Sequence, residues 1–286
     1  MTPELANIAF IVWRESVEAL LVVGILSAWI RQQRDAGPAR AWLWSGVAAG
    51  LVLSVVLGFG LAAFGEALPE EAQLGYQAAA LLAAAALIVQ MVVWMRRKGR
   101  TLKRNMESAL GAAAGRSQWW GLFALALFAV AREGSETAIF LYGTLLAGTS
   151  APLAERIGAA GVGLLMAGGT YALLQAGGRI LSWRVFFRVS EIVLLMLAGS
   201  LVLTAANHLA DLGLLPDTHG LASRAWDSSA FLSDGGTWGG MLSALTGYRA
   251  RPELREVLLY AAYWVVVLWL LFSARAPADR DQALPS

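Results

Sequence analysis

The amino-acid sequence predicts an all-α polytopic membrane protein with seven transmembrane helices, and three observations carry that prediction. Of 286 residues, 58% are hydrophobic and 15% charged, with a mean hydropathy of +0.59, a balance that requires several bilayer-length apolar stretches. Apolar windows of about twenty residues recur along the chain. The basic residues between them alternate between dense and sparse loops, as topology demands of a multi-pass protein. Cysteine is absent, which excludes disulfides, thiolate metal sites and thiol redox chemistry. The net charge of +2 is small and the basic residues do not line one soluble face, so nucleic acid is not an expected partner.

The windows fall at 6–30, 41–65, 74–95, 119–147, 157–177, 185–207 and 255–274. The opening "MTPELANIAF" lacks the basic segment of a secretory signal and leads into a run long enough to span, so the first window is kept as a helix of the mature chain. The fifth, "GAAGVGLLMAGGTYALLQAGG", is the least hydrophobic. Its small residues predict close helix packing in lipid rather than a broken element. The seventh follows a long polar stretch, and only a short tail comes after it.

Lysine and arginine set the orientation, because short cytoplasmic loops collect them. One side carries Arg31, Arg34 and Arg40; Arg96, Arg97, Lys98, Arg100, Lys103, Arg104 and Arg116; Arg179, Arg184 and Arg188; and Arg275 and Arg280. The other carries only Arg156, Arg224, Arg249, Arg251 and Arg255. Fifteen against five predicts an outside N-terminus and an inside C-terminus. The acids Glu66, Glu70, Glu71, Glu155, Asp211, Asp217, Asp227, Asp234, Glu253 and Glu256 then lie outside. They either concentrate cations before entry or simply keep the outer loops soluble. The run "RRKGRTLKR" reads as an anchor at the anionic cytoplasmic leaflet, and Trp42, Trp44, Trp119 and Trp120 as interfacial belts.

The two of the twenty-two basic residues that belong to neither side lie deep inside apolar windows, and each opens the same pattern. Arg14, Glu15 and Glu18 in "WRESVEALL" are matched by Arg132, Glu133 and Glu136 in "AREGSETAIF". At 3.6 residues per turn the two acids of a copy are about 60° apart and the arginine about 40° from the second acid. Each helix therefore presents one charged stripe near the middle of its span. Intramembrane ionisable groups are costly and mark function by default; the competing reading is a pair of salt bridges that pin helix to helix.

With helix 1 running inward and helix 4 outward, residues 1–110 and 111–210 form two three-helix repeats of opposite orientation. An extracytoplasmic loop at 211–253, a seventh helix at 254–274 and a cytoplasmic tail at 275–286 complete one domain, 1–286. In inverted-repeat transporters the substrate site lies near the midplane at the repeat interface, where four carboxylates would converge. Carboxylates are hard ligands suited to magnesium, calcium, manganese and oxidised iron. The arginines would compensate charge in the empty site. The spacing leaves the metal open.

Other polar residues carry weaker signals. Glu191, three residues from Arg188, reads as a snorkelling salt bridge or an exit ligand. His208 and Asp211 at the outer end of helix 6 fit either metal capture or a polar helix end. Asp227 and Asp234 fit either metal recruitment or a solvated acidic loop. Gln90, Thr137, Tyr142, Gln175 and Asn207 read as interhelical hydrogen-bonding groups, with Thr137 and Tyr142 also placed to line a path beyond the second motif.

At the paired Arg-Glu-x-x-Glu motifs the sequence resembles the oxidase-dependent iron permease family, which includes bacterial EfeU-type and fungal high-affinity iron permeases. The family's intervening pair is often Gly-Leu; here it is Ser16-Val17 and Gly134-Ser135, a departure at variable positions only. The likeness extends over seven spans, a basic loop after the third, and the outer "WDSSAFLSDGG" and "GYRARPELREVLLYAAYW" segments. It implies import of iron ions, carried as substrate with no permanently bound cofactor, across the cytoplasmic (inner) membrane. It also implies that Glu15, Glu18, Glu133 and Glu136 bind iron with Arg14 and Arg132 beside them. The lipid bilayer and an extracytoplasmic iron-handling or oxidase protein are the implied partners.

Three alternatives compete. A carrier of the same fold for another hard cation such as manganese differs only in selectivity. An intramembrane carboxylate metal enzyme would typically use Glu-x-x-His pairs, and both histidines, His208 and His219, are assigned to the outer side. A metal sensor would need a separate output partner, since the tail "SARAPADRDQALPS" is short.

Overall fold

The computed structural model describes residues 3–31, 36–98, 119–146, 151–175, 183–214, 223–234 and 236–273. Every regular element among them is helical: α1 Pro3–Ile30, α2 Ala36–Ala67, α3 Glu70–Lys98, α4 Trp120–Leu146, α5 Leu153–Gln175, α6 Trp183–Asp211, α7 Thr237–Thr246 and α8 Leu254–Ser273. Basic residues Arg34, Arg100, Lys103, Arg104, Arg116, Arg179, Arg275 and Arg280, together with Asp217, His219 and the tail at 275–286, lie outside the described residues.

Five helices, α2, α3, α5, α6 and α8, are long and apolar enough to cross a membrane. Helices α1 and α4 have comparable length, 28 and 27 residues, but carry the charged motifs in their middles. The outward faces are apolar: Val52, Phe59, Leu165, Val265 and Trp269 are all more than half exposed. Such surfaces are what a helix shows to lipid rather than to water.

Local chemistry sets the helix ends. Helices α3 and α5 start directly after Pro69 and Pro152, with acids in the first turn where the helix dipole favours them. Helix α6 stops at Gly213, whose φ of 69° admits the reversal, with Leu214 N–H donating to Leu209 O. The short α7 was not expected from hydropathy. It ends at Gly247 (φ 74°) and folds back onto α1 and α6.

Packing rests on small residues. Helix α2 lays Gly46 and Gly50 against α4 so closely that an added Cβ at Gly50 would stand 3.0 Å from Ala131 N. One and two turns further on, Ser54 abuts Gly134 and Gly58 faces Ala138. Helix α5 does the same to α1, with Gly163 against the backbone at Ala9 and Trp13, flanked by buried Ala159 and Ala167. Small-residue stripes of this kind let helices approach in lipid, where no hydrophobic drive pushes them together. The main apolar core joins Ile11 of α1, Leu81 and Ile88 of α3, Phe140 of α4, and Leu194, Leu197 and Leu201 of α6. Helix α8 packs on α6 and α3, with Tyr263 Oη donating to Leu195 O at 2.5 Å. Trp42 and Trp120 meet edge-to-face at 6.0 Å where α2 and α4 begin, a placement suited to an interfacial aromatic cluster.

Candidate metal centre

The two motifs meet because α1 and α4 pack against each other and each carries its charges near mid-length. In both copies the arginine reaches the acid one turn on, as i,i+4 spacing allows. Arg14 Nη2 lies 2.5 Å from Glu18 Oε1, and Arg132 Nε donates to Glu136 Oε1 at 3.0 Å. Arg14 Nη1 also donates to Glu15 Oε1 at 2.6 Å.

Glu15, Glu133 and Glu136 each contribute a carboxylate oxygen within 4.8 Å of the other two, the one such set of three or more metal-ligating groups among the described residues. Glu18 stands beside them with its Oε1 on the Arg14 guanidinium. Oε2 of Glu15, Glu133 and Glu136 is buried without a hydrogen-bond partner. Buried polar atoms are normally satisfied. Three carboxylates that meet in one place, each keeping a buried oxygen without a donor, form a nest of the kind that would suit a hard cation. With every group ionised, four carboxylates against two guanidinium groups leave two negative charges, which one divalent cation cancels.

A third helix braces both arginines. Arg14 Nη1 lies 3.1 Å from Met91 Sδ and Nη2 3.4 Å from Met95 Sδ. The Arg132 guanidinium sits 4.4 Å above the Trp94 ring, within cation–π range. These three α3 residues were not singled out from the sequence. Their signal was the i, i+3, i+4 spacing of Met91, Trp94 and Met95 just before the basic run. The two copies differ in access: the Arg14 side chain is 1% exposed and that of Arg132 41%.

Glu191 is buried on α6 and pairs with Arg96 Nε of α3 at 3.0 Å, so its partner lies across helices rather than at Arg188. Thr137 donates back to Glu133 O at 2.8 Å within α4. Tyr142 instead packs on Tyr76, ring centroids 6.0 Å apart. At the C-terminal end of α6, His208 Nδ1 is buried without a hydrogen-bond partner and Asp211 is exposed; no set of three ligands forms around them among the described residues. Asp227 takes hydrogen bonds from Ser229 N–H at 3.0 Å and Ser229 Oγ at 2.6 Å and pairs with Arg251 at 3.0 Å. The Ser229 hydroxyl above all, with Arg251 adding to it, holds the Asp227 carboxyl below the usual carboxylate range. Asp234 Oδ1 accepts Ala250 N–H at 2.8 Å. Both acids thus stitch the loop between α6 and α8.

A helical membrane protein with acids gathered inside its bundle has the framework of a metal-cation permease. Comparison with known proteins gives that class its family: the chain belongs to the iron permease FTR1 family, whose model matches residues 5–276. It is similar to the ferrous iron permease EfeU of Yersinia pestis, 29% identical over 266 residues that cover 92% of this chain and 91% of the relative. It is equally similar to the ferrous iron permease EfeU of Escherichia coli O6:H1, 29% identical over 268 residues, 90% of this chain and 92% of that protein. No solved structure matches. The chain is thus a multi-pass membrane transporter of the iron permease class rather than an enzyme.

Proposed function

We propose that this protein imports ferrous iron across the cytoplasmic membrane through a site at the interface of two inverted three-helix repeats. The observation that carries the reading is the meeting of Glu15, Glu133 and Glu136 within 4.8 Å, each with a buried oxygen lacking a hydrogen-bond partner. The choice of ferrous iron draws on the printed names of the relatives and on the two negative charges that one divalent ion cancels.

Seven crossings, with the N-terminus outside, follow if α1 and α4 are carried through the bilayer by their partners. Helix α1 is covered by α5 and α4 by α2, so the charged stripes are shielded from lipid on those flanks. Exchanging α1 with α4, α2 with α5 and α3 with α6 maps the α2–α4 packing onto α5–α1 and leaves the α1–α4 and α3–α6 contacts in place. That pattern supports a two-fold relation between the halves and, with it, a site near the midplane. Arg14 and Arg132 act as counter-charges that the ion partly replaces. Glu191 lies toward the cytoplasmic end and receives the ion on exit, with Arg96 as its resting partner. An extracytoplasmic iron-handling or oxidase protein completes the system.

The test is radioactive iron uptake into proteoliposomes, comparing wild type with the Glu15→Ala, Glu133→Ala double mutant. Ferrous and ferric iron are supplied separately, with manganese as competitor. Uptake of ferrous iron by wild type alone supports the reading. Normal uptake by the correctly inserted double mutant sinks it, and preference for manganese would favour the other-cation carrier.

A further inference from the structure

A cavity of about 640 Å³ opens at the end of the bundle that holds the N-terminus of α1 and the C-terminus of α4. We propose that it is a second, outer metal site, a loading chamber that holds a hydrated divalent cation above the carboxylate centre. The assignment of this end to the outside rests on the orientation proposed above.

The lining mixes apolar and polar groups, and its charged part is mainly acidic. Glu4 and Asn7 come from α1, Thr144 from α4, Glu155 from α5, and Asp234 and Arg249 from the loop on either side of α7. Three carboxylates face one guanidinium, and that guanidinium is turned toward Ser243 Oγ at 3.0 Å and Glu256 at 3.9 Å. Glu4 leans on Arg156 of α5 at 2.9 Å, and Asp234 has one oxygen on Ala250 N–H. Glu155 is exposed.

Asn7 is the feature that calls for a ligand. Its residue is 5% exposed and its amide nitrogen makes a 3.5 Å contact to Ala244 O of α7. Its Oδ1 is buried without any hydrogen-bond partner. A buried amide oxygen left unsatisfied is costly, and in a chamber of this kind a water of a cation's hydration shell, or the cation itself, satisfies it. Six waters around an ion occupy roughly 180 Å³ at liquid density, so the volume takes an aqua ion with room to spare.

Register ties the chamber to the centre below. Asn7 lies eight residues before Glu15 on α1, and Thr144 eight residues after Glu136 on α4, about 12 Å along each axis. Between them, one turn in from the cavity on each helix, sit Ile11 and Phe140, both fully buried in the main core with Leu197 and Leu201. The ion in the chamber is therefore separated from the carboxylates by an apolar plug that must part for it to descend.

Manganous ion, followed by electron paramagnetic resonance on the purified full chain, tests the site apart from transport. In Glu15→Gln, Glu133→Gln, Glu136→Gln background one weak site is expected to persist. Adding Asn7→Leu should weaken it at least about tenfold, by loss of a ligand or shell partner, and Asn7→Asp should tighten it. No residual site in the triple variant, or an affinity indifferent to both Asn7 substitutions, overturns the proposal. In the otherwise native chain, Asn7→Leu should raise KM for ferrous uptake while the maximal rate stays within about twofold; an unchanged KM, or a loss confined to the maximal rate, overturns it as well. The two readings fail separately, since iron transport by the triple variant would refute the midplane centre and not the chamber.

Discussion

Gly50 of α2 and Gly163 of α5 press on the two motif helices at matching points. An added Cβ at Gly50 would meet Leu127 O, Val130 Cβ and Ala131 N at 3.0, 2.9 and 3.0 Å; one at Gly163 would meet Ala9 O, Val12 Cβ and Trp13 N at 2.6, 3.0 and 3.0 Å. In both motifs these are the fifth, second and first residues before the arginine. Gly50→Ala and Gly163→Ala should therefore each destabilise the bundle, by about 1–3 kcal/mol for an overpacked contact against backbone. Gly168→Ala on the same α5 meets nothing within 4 Å and should be neutral. Thermal unfolding of the three variants in detergent checks the ranking, and equal melting temperatures would dispose of it.

The two arginines should separate by phenotype. Arg14 is sealed between two carboxylates and two thioethers, so Arg14→Ala leaves buried charge unpaired, at a cost of about 3–5 kcal/mol. Lysine should not rescue it, because one ammonium cannot span both acids as the fork does. Arg132 is 41% exposed on its side chain, and such a pair contributes about 1 kcal/mol or less. Arg132→Ala should keep abundance near wild type and lose uptake, because Glu136 is no longer held. Membrane abundance measured beside uptake decides; equal loss of abundance in both variants would contradict the asymmetry.

Helix positions and both Arg-Glu-x-x-Glu stripes were legible because hydropathy and 3.6-residue periodicity are local properties. What crosses between helices was not. Glu191 and Arg188, three apart on one helix, read as a pair, yet the ion pair in the structure joins Glu191 to Arg96, 95 residues away. Likewise the brace of Met91, Trp94 and Met95 on the arginines depends on how α3 is rotated about its axis, which composition does not encode. Asp227 and Asp234 read as free acids, whereas Ser229, Arg251 and the Ala250 amide claim them through contacts that only the folded loop creates.

The absence of cysteine makes the crossing number directly measurable. Arg31→Cys, Pro69→Cys and Pro152→Cys place unique thiols after α1, before α3 and before α5. With seven crossings, an impermeant maleimide applied to spheroplasts should label positions 69 and 152 and spare 31 until the membrane is opened. Position 152 discriminates most sharply. If α4 did not cross, the α4–α5 connection would lie on the cytoplasmic side and stay unlabelled.

The Asp227 corner should respond to acid in one direction. Its carboxyl is held below its ordinary value by Ser229, so the folded form binds its proton less readily than the unfolded chain. The contribution is then complete above the ordinary aspartate range, about pH 4, and is lost as pH falls through the lower folded value. Limited proteolysis of the 223–251 segment should be flat from pH 7 to pH 5 and accelerate only under stronger acid. Asp227→Asn should remove that step; a step that persists in the variant assigns it to another group.

Glu18 differs from the other three motif acids, and substitution should expose the difference. It is tied to Arg14 rather than grouped with Glu15, Glu133 and Glu136. Glu18→Gln leaves the three-carboxylate nest intact but frees the Nη2 arm of Arg14, whose Nη1 still holds Glu15, so binding should weaken by about 10–100-fold, the usual cost of disturbing a ligand's support. Glu15→Gln, Glu133→Gln and Glu136→Gln each delete a charged donor from the nest and should abolish tight ferrous binding and uptake together, leaving only the weak binding of the outer chamber. Glutamine keeps volume and hydrogen-bonding capacity, which separates loss of charge from loss of packing. Equilibrium binding of ferrous iron under anaerobic conditions, run on all four variants at matched abundance, reads the ranking directly. If Glu18→Gln proved as damaging as the others, the ion would have to be held by all four acids at once, with Arg14 displaced from Glu18 when it binds.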